Sequence, residues 1–289
     1  MIDVGKMDYR IAEDYEFVRE AEGRTTEEMS ELTGISRNTL YETMANNRAN
    51  HSVLEKFYSY AYESKYRLNF VKEDLLNESG HGKILFHGSK KGLKEIEERG
   101  SKDKCDFGSG FYLSETYEHA LSFVCENAGS SVYSFLCNFD GLKIAQFECS
   151  LEWMLAICNY RGTIKSFSDS ETVKKIVDKV VDKVEHADLV IAPIADNRMF
   201  YIMSLFAEGD INADVALHSL SASKLGLQYI FKTEKALDAL YPVEKYYLCK
   251  KEKADCQERL KLRAAEIDTK LKLSRREYKT GLYIEELLK

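Results

Sequence analysis

The sequence is poor in proline and contains no long apolar run. Only two prolines, Pro193 and Pro242, occur in 289 residues, which favours compact helices and strands over proline-rich linkers. No apolar stretch approaches the length of a membrane-spanning helix, so we expect no membrane partner. The N-terminal stretch is acidic and interrupted by charge, and we therefore expect no signal peptide and a cytoplasmic location.

The cysteines and histidines show no spacing that would build a disulfide or metal framework. Seven cysteines make an odd count, none forms a C-x-x-C pair, and they lie within apolar stretches. They are therefore predicted to be free, buried thiols in a reducing cytoplasm. The six histidines are scattered without metal-ligand spacing, so the sequence predicts no metal site.

The net charge of −7 argues against strong nucleic-acid binding by the whole molecule. The charge is unevenly distributed, because residues 244–289 carry thirteen Lys/Arg against nine Asp/Glu. A solvated helical face is the favoured interpretation of this basic segment. A surface for nucleic acid or a partner protein is the alternative.

The pattern of apolar residues divides the chain into three parts and predicts an α+β protein. Residues 1–80 are expected to be a helical domain, and residues 83–247 alternate short strand-like runs with helical patterns. Residues 248–289 are expected to be a charged helical extension. One apolar stripe along that extension has spacings of four and three: Leu260, Ala264, Ile267 and Leu271.

Two short helices separated by a glycine turn are predicted within the first part. Thr25 or Thr26 would cap the first helix, Gly34 would make the turn, and Ser36 would cap the second. This arrangement resembles the helix-turn-helix of phage-repressor-like regulators, and the resemblance implies a set of residues facing the bases: Arg37, Asn38, Thr39 and Tyr41.

DNA binding by this helical part is only weakly supported by its charge. Contacts between Lys or Arg side chains and phosphates supply most of the affinity for DNA. Residues 25–77, however, hold only six Lys/Arg against eight Asp/Glu. The alternatives are that the part binds a partner protein, such as an antitoxin, or docks on the middle of the chain.

Three motifs in the middle part carry chemistry when they are taken together. They are His87-Gly88-Ser89 after an apolar run, Phe107-Gly108-Ser109-Gly110-Phe111-Tyr112, and Leu227-Gln228-Tyr229-Ile230-Phe231. Each has a purely structural interpretation on its own: a strand entering a turn, a glycine-rich hairpin and a buried strand.

In this order the motifs resemble the catalytic domain of ADP-ribosyltransferases, in particular the poly-ADP-ribose-polymerase-like branch. Residues 83–247 also resemble a bacterial family of uncharacterised ADP-ribosyltransferase-like domains, the DUF3990 family. The resemblance implies an α+β fold with two separate sheets and NAD, as substrate, in the cleft between them.

The same resemblance implies roles for individual residues. His87 would bind the adenosine ribose, while the Gly88 backbone and the Ser89 hydroxyl would hold the nicotinamide carboxamide. Tyr112 and Phe123 would sandwich the nicotinamide ring. The remaining positions implied to bind or act on NAD are Gly110, Gln228 and Arg198.

Two positions depart from the family pattern. Gln228 stands where the catalytic carboxylate is expected, and Ala120 stands where a hydroxyl commonly helps to hold nicotinamide. Glu234 or Asp196 could supply a carboxylate instead. Arg198 would lie near the pyrophosphate or the acceptor, or else Asp196 simply caps a helix and the arginine is solvated.

The sequence therefore predicts an NAD-dependent mono-ADP-ribosyltransferase, with Gln228, His87 and Tyr112 as its catalytic residues. Its acceptor would be a macromolecule (protein, RNA or DNA), and the expected role is a bacterial toxin, as in a toxin–antitoxin pair, or a phage-defence effector. The alternative is a non-catalytic NAD-binding regulator coupled to the helix-turn-helix.

Overall fold

A computed structural model describes residues 2–66, 68, 70–78, 80, 82–97, 101, 104–163, 171–221 and 226–286. The helices and strands, in chain order, are β1 (Ile2–Asp3), α1 (Ile11–Ala21), α2 (Thr26–Thr33), α3 (Arg37–Asn46), α4 (His51–Glu63), α5 (Phe70–Glu78), β2 (Lys83–Ser89), β3 (Glu95–Ile96), β4 (Phe111–Ser114), α6 (Tyr117–Ser122), β5 (Ser131–Cys137), β6 (Ile144–Gln146), α7 (Leu151–Arg161), α8 (Glu171–Glu185), β7 (Leu189–Pro193), α9 (Asn197–Ala207), α10 (Ala213–Ser221), β8 (Leu227–Phe231), α11 (Glu234–Leu237), β9 (Leu240–Tyr247), α12 (Lys250–Glu277) and a 3₁₀ turn (Ile284–Glu286).

The N-terminal helices begin and end where their capping residues require. The Thr25 side chain accepts from the Glu28 amide at 3.2 Å, and the Glu28 carboxylate accepts from the Thr25 amide at 2.8 Å, so α2 starts with a reciprocal capping box. Gly34 ends α2 with φ +64°, and Ser36 caps α3. The predicted caps and turn are confirmed, whereas DNA binding by this pair of helices stays a prediction.

The first residues of the chain are an exception to the expected helical part. Ile2 and Asp3 form a short strand that pairs antiparallel with β3, and Val4 packs into the core beneath the central sheet. The chain therefore starts against the sheet and only then enters the helices.

The central sheet has seven strands in the order β6-β7-β8-β4-β2-β5-β9. Only β6 and β7 are parallel; the remaining neighbours are antiparallel. This confirms a mixed α+β protein, but the expected pair of separate sheets is replaced by one continuous sheet. The two halves of this sheet join at the pairing of β2 with β4, where one residue pair, Phe86 with Ser114, is in register.

The two faces of the sheet are covered differently, because side chains alternate along each strand. On one face, Leu85, Phe111 and Phe231 belong to a single buried cluster that continues across both halves. On the other face, Ile230 packs with α7 and α9, while Phe86 packs with α6 in a separate cluster. The boundary between these two clusters lies at β2 and β4, the strand pair at which the two halves of the sheet join.

Helix α12 connects the three parts of the chain. Cys249, just before it, is buried in the cluster of the N-terminal helices, and Cys256 lies in the cluster under α6. Ile267 and Leu271 are buried against α9 and its neighbours. The predicted apolar stripe of the extension is thus the face that packs on the protein. The last three residues of the predicted extension lie outside the described residues.

Helix α6 lies so close to β2 that only glycine fits at position 88. A Cβ atom on Gly88 would stand 2.3 Å from the carbonyl oxygen of Ala120 and 3.0 Å from Val124 Cγ1. The first of these contacts involves backbone and cannot be relieved by a rotamer change. The glycine is therefore needed for helix packing, whatever it does for a ligand.

Gly88→Ala is expected to lower the free energy of unfolding by about 1–3 kcal/mol, because the added methyl group overpacks the interface with α6. Gly129→Ala is the matched control, since its Cβ would meet nothing closer than the Lys90 carbonyl at 3.9 Å. Urea denaturation of both variants checks this. Equal stability of the two variants would contradict the assigned role of Gly88.

Candidate functional site

The candidate site is the opening between β2 and β4. After the Phe86–Ser114 pair the two strands diverge, and the structure registers no further pairing between them among the described residues. β2 remains paired with β5, and β4 with β8, on their outer sides. Two strand edges thus face each other across a cleft, and such edges carry backbone donors and acceptors for a ligand.

His87 stands at the start of this opening. Its Nδ1 lies 2.9 Å from the carbonyl oxygen of Tyr112, and its ring stacks on Phe111 with 4.7 Å between centroids. Because a carbonyl can only accept, Nδ1 carries the proton, and Nε2 of the neutral ring is left as an acceptor. Burial lowers the pKa of the His87 imidazole and so favours this neutral form.

Tyr112 fixes the glycine-rich loop before β4. Its hydroxyl donates to the Gly108 carbonyl at 2.7 Å and accepts from the Phe107 amide at 3.1 Å. Lys232 Nζ binds the carbonyls of Phe107 and Ser109 at 2.7 and 2.6 Å. Burial raises the pKa of the Tyr112 hydroxyl. This tyrosine is therefore a neutral side chain that holds the loop rather than an ionising group.

Gln228 lies on the neighbouring strand β8, on the same face as Tyr112. Tyr112 is opposite Ile230 in the register, so Gln228 is its diagonal neighbour, at roughly 7–8 Å in an antiparallel pair. The side chain is buried, with Gln228 only 6% exposed. Its Nε2 donates to Asp106 Oδ2 at 2.9 Å and to the Pro193 carbonyl at 3.0 Å.

A buried ion pair continues this hydrogen-bonded chain. Asp106 is 6% exposed, and its Oδ1 accepts from Arg161 Nε at 2.7 Å and also from Nη2. The same guanidinium donates to the Ala195 carbonyl at 2.9 Å and lies 4.2 Å above the Phe200 ring. Gln228, Asp106 and Arg161 therefore form one network that links three separate parts of the fold.

This network explains the glutamine at a position where the family resemblance implies a carboxylate. Both partners of the Gln228 nitrogen are acceptors, so the orientation of the amide is determined and Oε1 points away from them. Within the described residues, no protein group donates to Oε1. A glutamate would instead set a second carboxylate against Asp106 and a carbonyl, with no hydrogen to donate.

Asp106 is the functional candidate that sequence reasoning missed. The suggested alternatives do not reach Gln228: the Asp196 carboxylate caps α9 through the Arg198 and Met199 amides, and Glu234 is exposed at the start of α11. Asp106 directly precedes the Phe107-Gly108 motif. That proximity was the only signal available, because its partner Gln228 is 122 residues away in the chain.

The remaining predicted site residues lie at the end of β2, just before β4 and at the end of α6. Ser89 is buried and pairs with Ser131 on β5. The Gly110 amide donates to Ser101 Oγ at 3.1 Å, and a Cβ there would lie 2.6 Å from Ile230 Cγ2. Phe123, at the C-terminal end of α6, is 50% exposed and thus accessible to a ligand.

The contacts of Arg198 are made on α9 and α12. Its guanidinium forms an ion pair with Asp268 of α12 and lies 4.5 Å from the centre of the Tyr201 ring. Asp196 caps the helix, as the structural interpretation expected, but the arginine is paired rather than solvated. The contacts described for Arg198 therefore assign it to holding α12.

The seven cysteines are free thiols, and five of them are buried. The described residues contain no cluster of three or more side chains suited to a metal ion. No described helix is both long and apolar enough to cross a membrane.

Fold and site together define an α+β protein with a candidate site where two strands of a mixed sheet separate. The chain belongs to the DUF3990 family, which is described as "Protein of unknown function (DUF3990)". The model of this family matches residues 83–241, more than half of the chain. Searches of the curated proteins and of the solved structures gave no match.

Gln228→Glu is expected to lower the free energy of unfolding by about 2–4 kcal/mol at neutral pH, because two carboxylates would face each other in a buried site. Adding Asp106→Asn supplies an amide donor to the new carboxylate. The double variant should therefore be less destabilised than the sum of the single changes, by about 1 kcal/mol or more.

The control for this cycle is Gln146→Glu, the same substitution at an exposed position of a strand. It should change the stability by less than about 0.5 kcal/mol. Additive effects of Gln228→Glu and Asp106→Asn would contradict a direct interaction between the two side chains. Urea denaturation of the four variants supplies all the values.

Proposed function

We propose that this protein is an NAD-dependent mono-ADP-ribosyltransferase that modifies a macromolecule. The observation that carries the proposal is the contact between His87 and the Tyr112 carbonyl at the opening between β2 and β4, with Gly88 next on β2 and Gln228 on the strand beyond β4. These residues come from the three motifs that resemble the poly-ADP-ribose-polymerase-like enzymes. Two of the strands present unpaired edges that suit a flat amide such as nicotinamide.

The proposed reaction exchanges one bond to the ribose for another. The bond between nicotinamide and C1′ of its ribose breaks, and nicotinamide leaves with the bonding electrons. A nucleophilic atom of the acceptor then bonds to C1′ and loses its proton to solvent. The ribose carries positive charge in the transition state, so the enzyme gains most by positioning both groups and stabilising that charge.

Each residue has a specific task in this proposal. The edge of β2 at Gly88 would hold the carboxamide, with Phe123 accessible for stacking on the nicotinamide ring. Nε2 of neutral His87 would accept a hydrogen bond from the adenosine ribose. Oε1 of Gln228 would accept one from a hydroxyl of the nicotinamide ribose, since its nitrogen is already engaged by Asp106.

Asp106 would act through Gln228 rather than on the substrate. By accepting a hydrogen from the amide, it orients Oε1 and increases the negative charge on that oxygen. Gln228 itself remains neutral and cannot remove a proton from a sugar hydroxyl. Because chain elongation needs such an activated hydroxyl, the proposal is limited to transfer of a single ADP-ribose.

The neutral Gln228 also favours a second candidate function, a non-catalytic NAD-binding regulator. Helix α12 contacts both α4 and α9, so it connects the N-terminal helices with the elements behind the opening. A bound nucleotide could thereby influence the N-terminal helices without being cleaved. A role as a bacterial toxin or phage-defence effector belongs to the first function and follows only if transfer occurs.

The experiment is to incubate the full-length protein with adenylate-labelled NAD and a cell lysate, and then to separate labelled protein, RNA and DNA. The wild type should label one of these classes. Gln228→Ala should reduce labelling roughly ten- to a thousandfold, the effect of losing one preorganised polar contact. Gln146→Ala, at an exposed strand position, should match the wild type.

NAD binding by calorimetry is measured on the same samples. His87→Ala should weaken binding under either function. If wild type and Gln228→Ala are both inert while NAD still binds, the transferase proposal is wrong and the regulator remains. If NAD does not bind at all, both functions are wrong.

A further inference from the structure

A second cavity lies away from the candidate site, where the three parts of the chain meet. It is a half-open pocket of about 1090 Å³ between α4, α5, α6, α12 and the strands β2 and β9. It opens beside Lys83 and Ile84, at the start of β2, whereas His87 and Ser89 are at the other end of that strand. None of the site residues named from the sequence lines it. The volume is that of a pocket for a small molecule.

Charged and aromatic side chains together line this cavity, with acidic groups more numerous than basic ones. Phe86, Tyr117 and Tyr246 form a cluster with ring centroids 5.3–6.4 Å apart. Further tyrosines from α4, the following segment and β9 contribute to the lining: Tyr58, Tyr62, Tyr66 and Tyr247. Such surfaces attract both flat apolar groups and cations placed over the ring faces.

Glu252 is a charged group in the lining that forms no salt bridge with the described residues. Lys83 forms a salt bridge with Glu115 at 2.6 Å, and Lys251 forms one with Asp255 at 3.2 Å. Glu252, in contrast, accepts a hydrogen bond from the Tyr117 hydroxyl at 2.9 Å, and no cation among the described residues lies within salt-bridge distance of it; the charges of Arg259 and Lys253 act on it from farther away. Burial raises the pKa of this carboxyl to about 7, so an added positive charge would favour its ionised form.

We propose that this cavity binds a small organic cation with an aromatic or otherwise apolar body. The ammonium or guanidinium group would pair with Glu252, and the body would lie among Phe86, Tyr117 and Tyr246. A carboxylate or phosphate ligand would meet the Glu252 charge and is disfavoured. An inorganic cation is disfavoured too, because the described residues offer no group of three ligating side chains.

Binding at this place would connect the N-terminal helices, the sheet and the C-terminal helix. Tyr62 on α4, Phe86 on β2 and Glu252 on α12 would all face one ligand. The ligand would therefore stabilise the arrangement of the three parts. This inference does not depend on NAD or on transferase activity.

The test uses three probes of the same shape and different charge, with the full-length protein at pH 8. They are 2-naphthylmethylamine (a cation), 2-naphthylmethanol (neutral) and 2-naphthoate (an anion), each titrated by calorimetry. The amine should bind at least about tenfold more tightly than the alcohol, the size expected for one hydrogen bond to a charged group, and the naphthoate most weakly.

Glu252→Gln should lower the affinity for the amine about tenfold and leave the alcohol unchanged. Glu258→Gln is the matched control, because Glu258 is exposed on the same helix and does not line the cavity. Circular dichroism and the urea midpoint verify that each variant is folded. The order of the three probes on the wild type is informative even if Glu252→Gln does not fold.

Three results with the wild type and the three probes would overturn the proposal. They are equal affinities for amine and alcohol, tightest binding of the naphthoate, and no saturable binding of any probe at millimolar concentration. An unchanged affinity of folded Glu252→Gln for the amine would also overturn it. Competition by NAD for the amine would place the nucleotide in this cavity and would contradict both the separate cation site and the proposed position of NAD.

Discussion

The single residue pair between β2 and β4 is the constraint on which the architecture depends. Phe86 and Ser114 join two half-sheets that are each well paired internally, β2 over seven residues with β5 and β4 over four with β8. Because the join is this short, the strands separate beyond it and leave an opening. Helix α6 covers one side of the opening, and its close contact at Gly88 requires glycine there.

The buried network beside this opening decides which chemistry the site can perform. Asp106 is neutralised by Arg161, and Gln228 is the group that connects this ion pair to the cleft. An amide suits that position because its nitrogen donates to Asp106 while its oxygen remains available as an acceptor. The glutamine is thus an integral part of the hydrogen-bonded network at this site.

Features that depend on a few neighbouring residues could be predicted from the sequence. The caps at Thr25 and Ser36, the turn at Gly34 and the buried stripe of α12 each follow from local backbone chemistry or helical periodicity. The strands carrying His87, Tyr112 and Gln228 were also placed correctly.

Features that depend on distant residues could not be predicted. Whether the half-sheets join is decided by one pair of residues far apart in the chain, and β1 is a strand only because β3 lies beside it. The role of Asp106 requires knowledge of Gln228 and Arg161 in space. The sequence left Arg198 open between a ligand and solvent, because its partner Asp268 is on a remote helix. The cation cavity likewise exists only where three parts of the chain meet.

The most direct test of the central claim is a crystal structure of the protein with NAD bound. The account predicts the nicotinamide ring between β2 and β4, with its carboxamide hydrogen-bonded to the Gly88 backbone and a ribose hydroxyl within about 3 Å of Gln228 Oε1. Nicotinamide bound elsewhere, or an opening between β2 and β4 closed by continuous strand pairing, would contradict it.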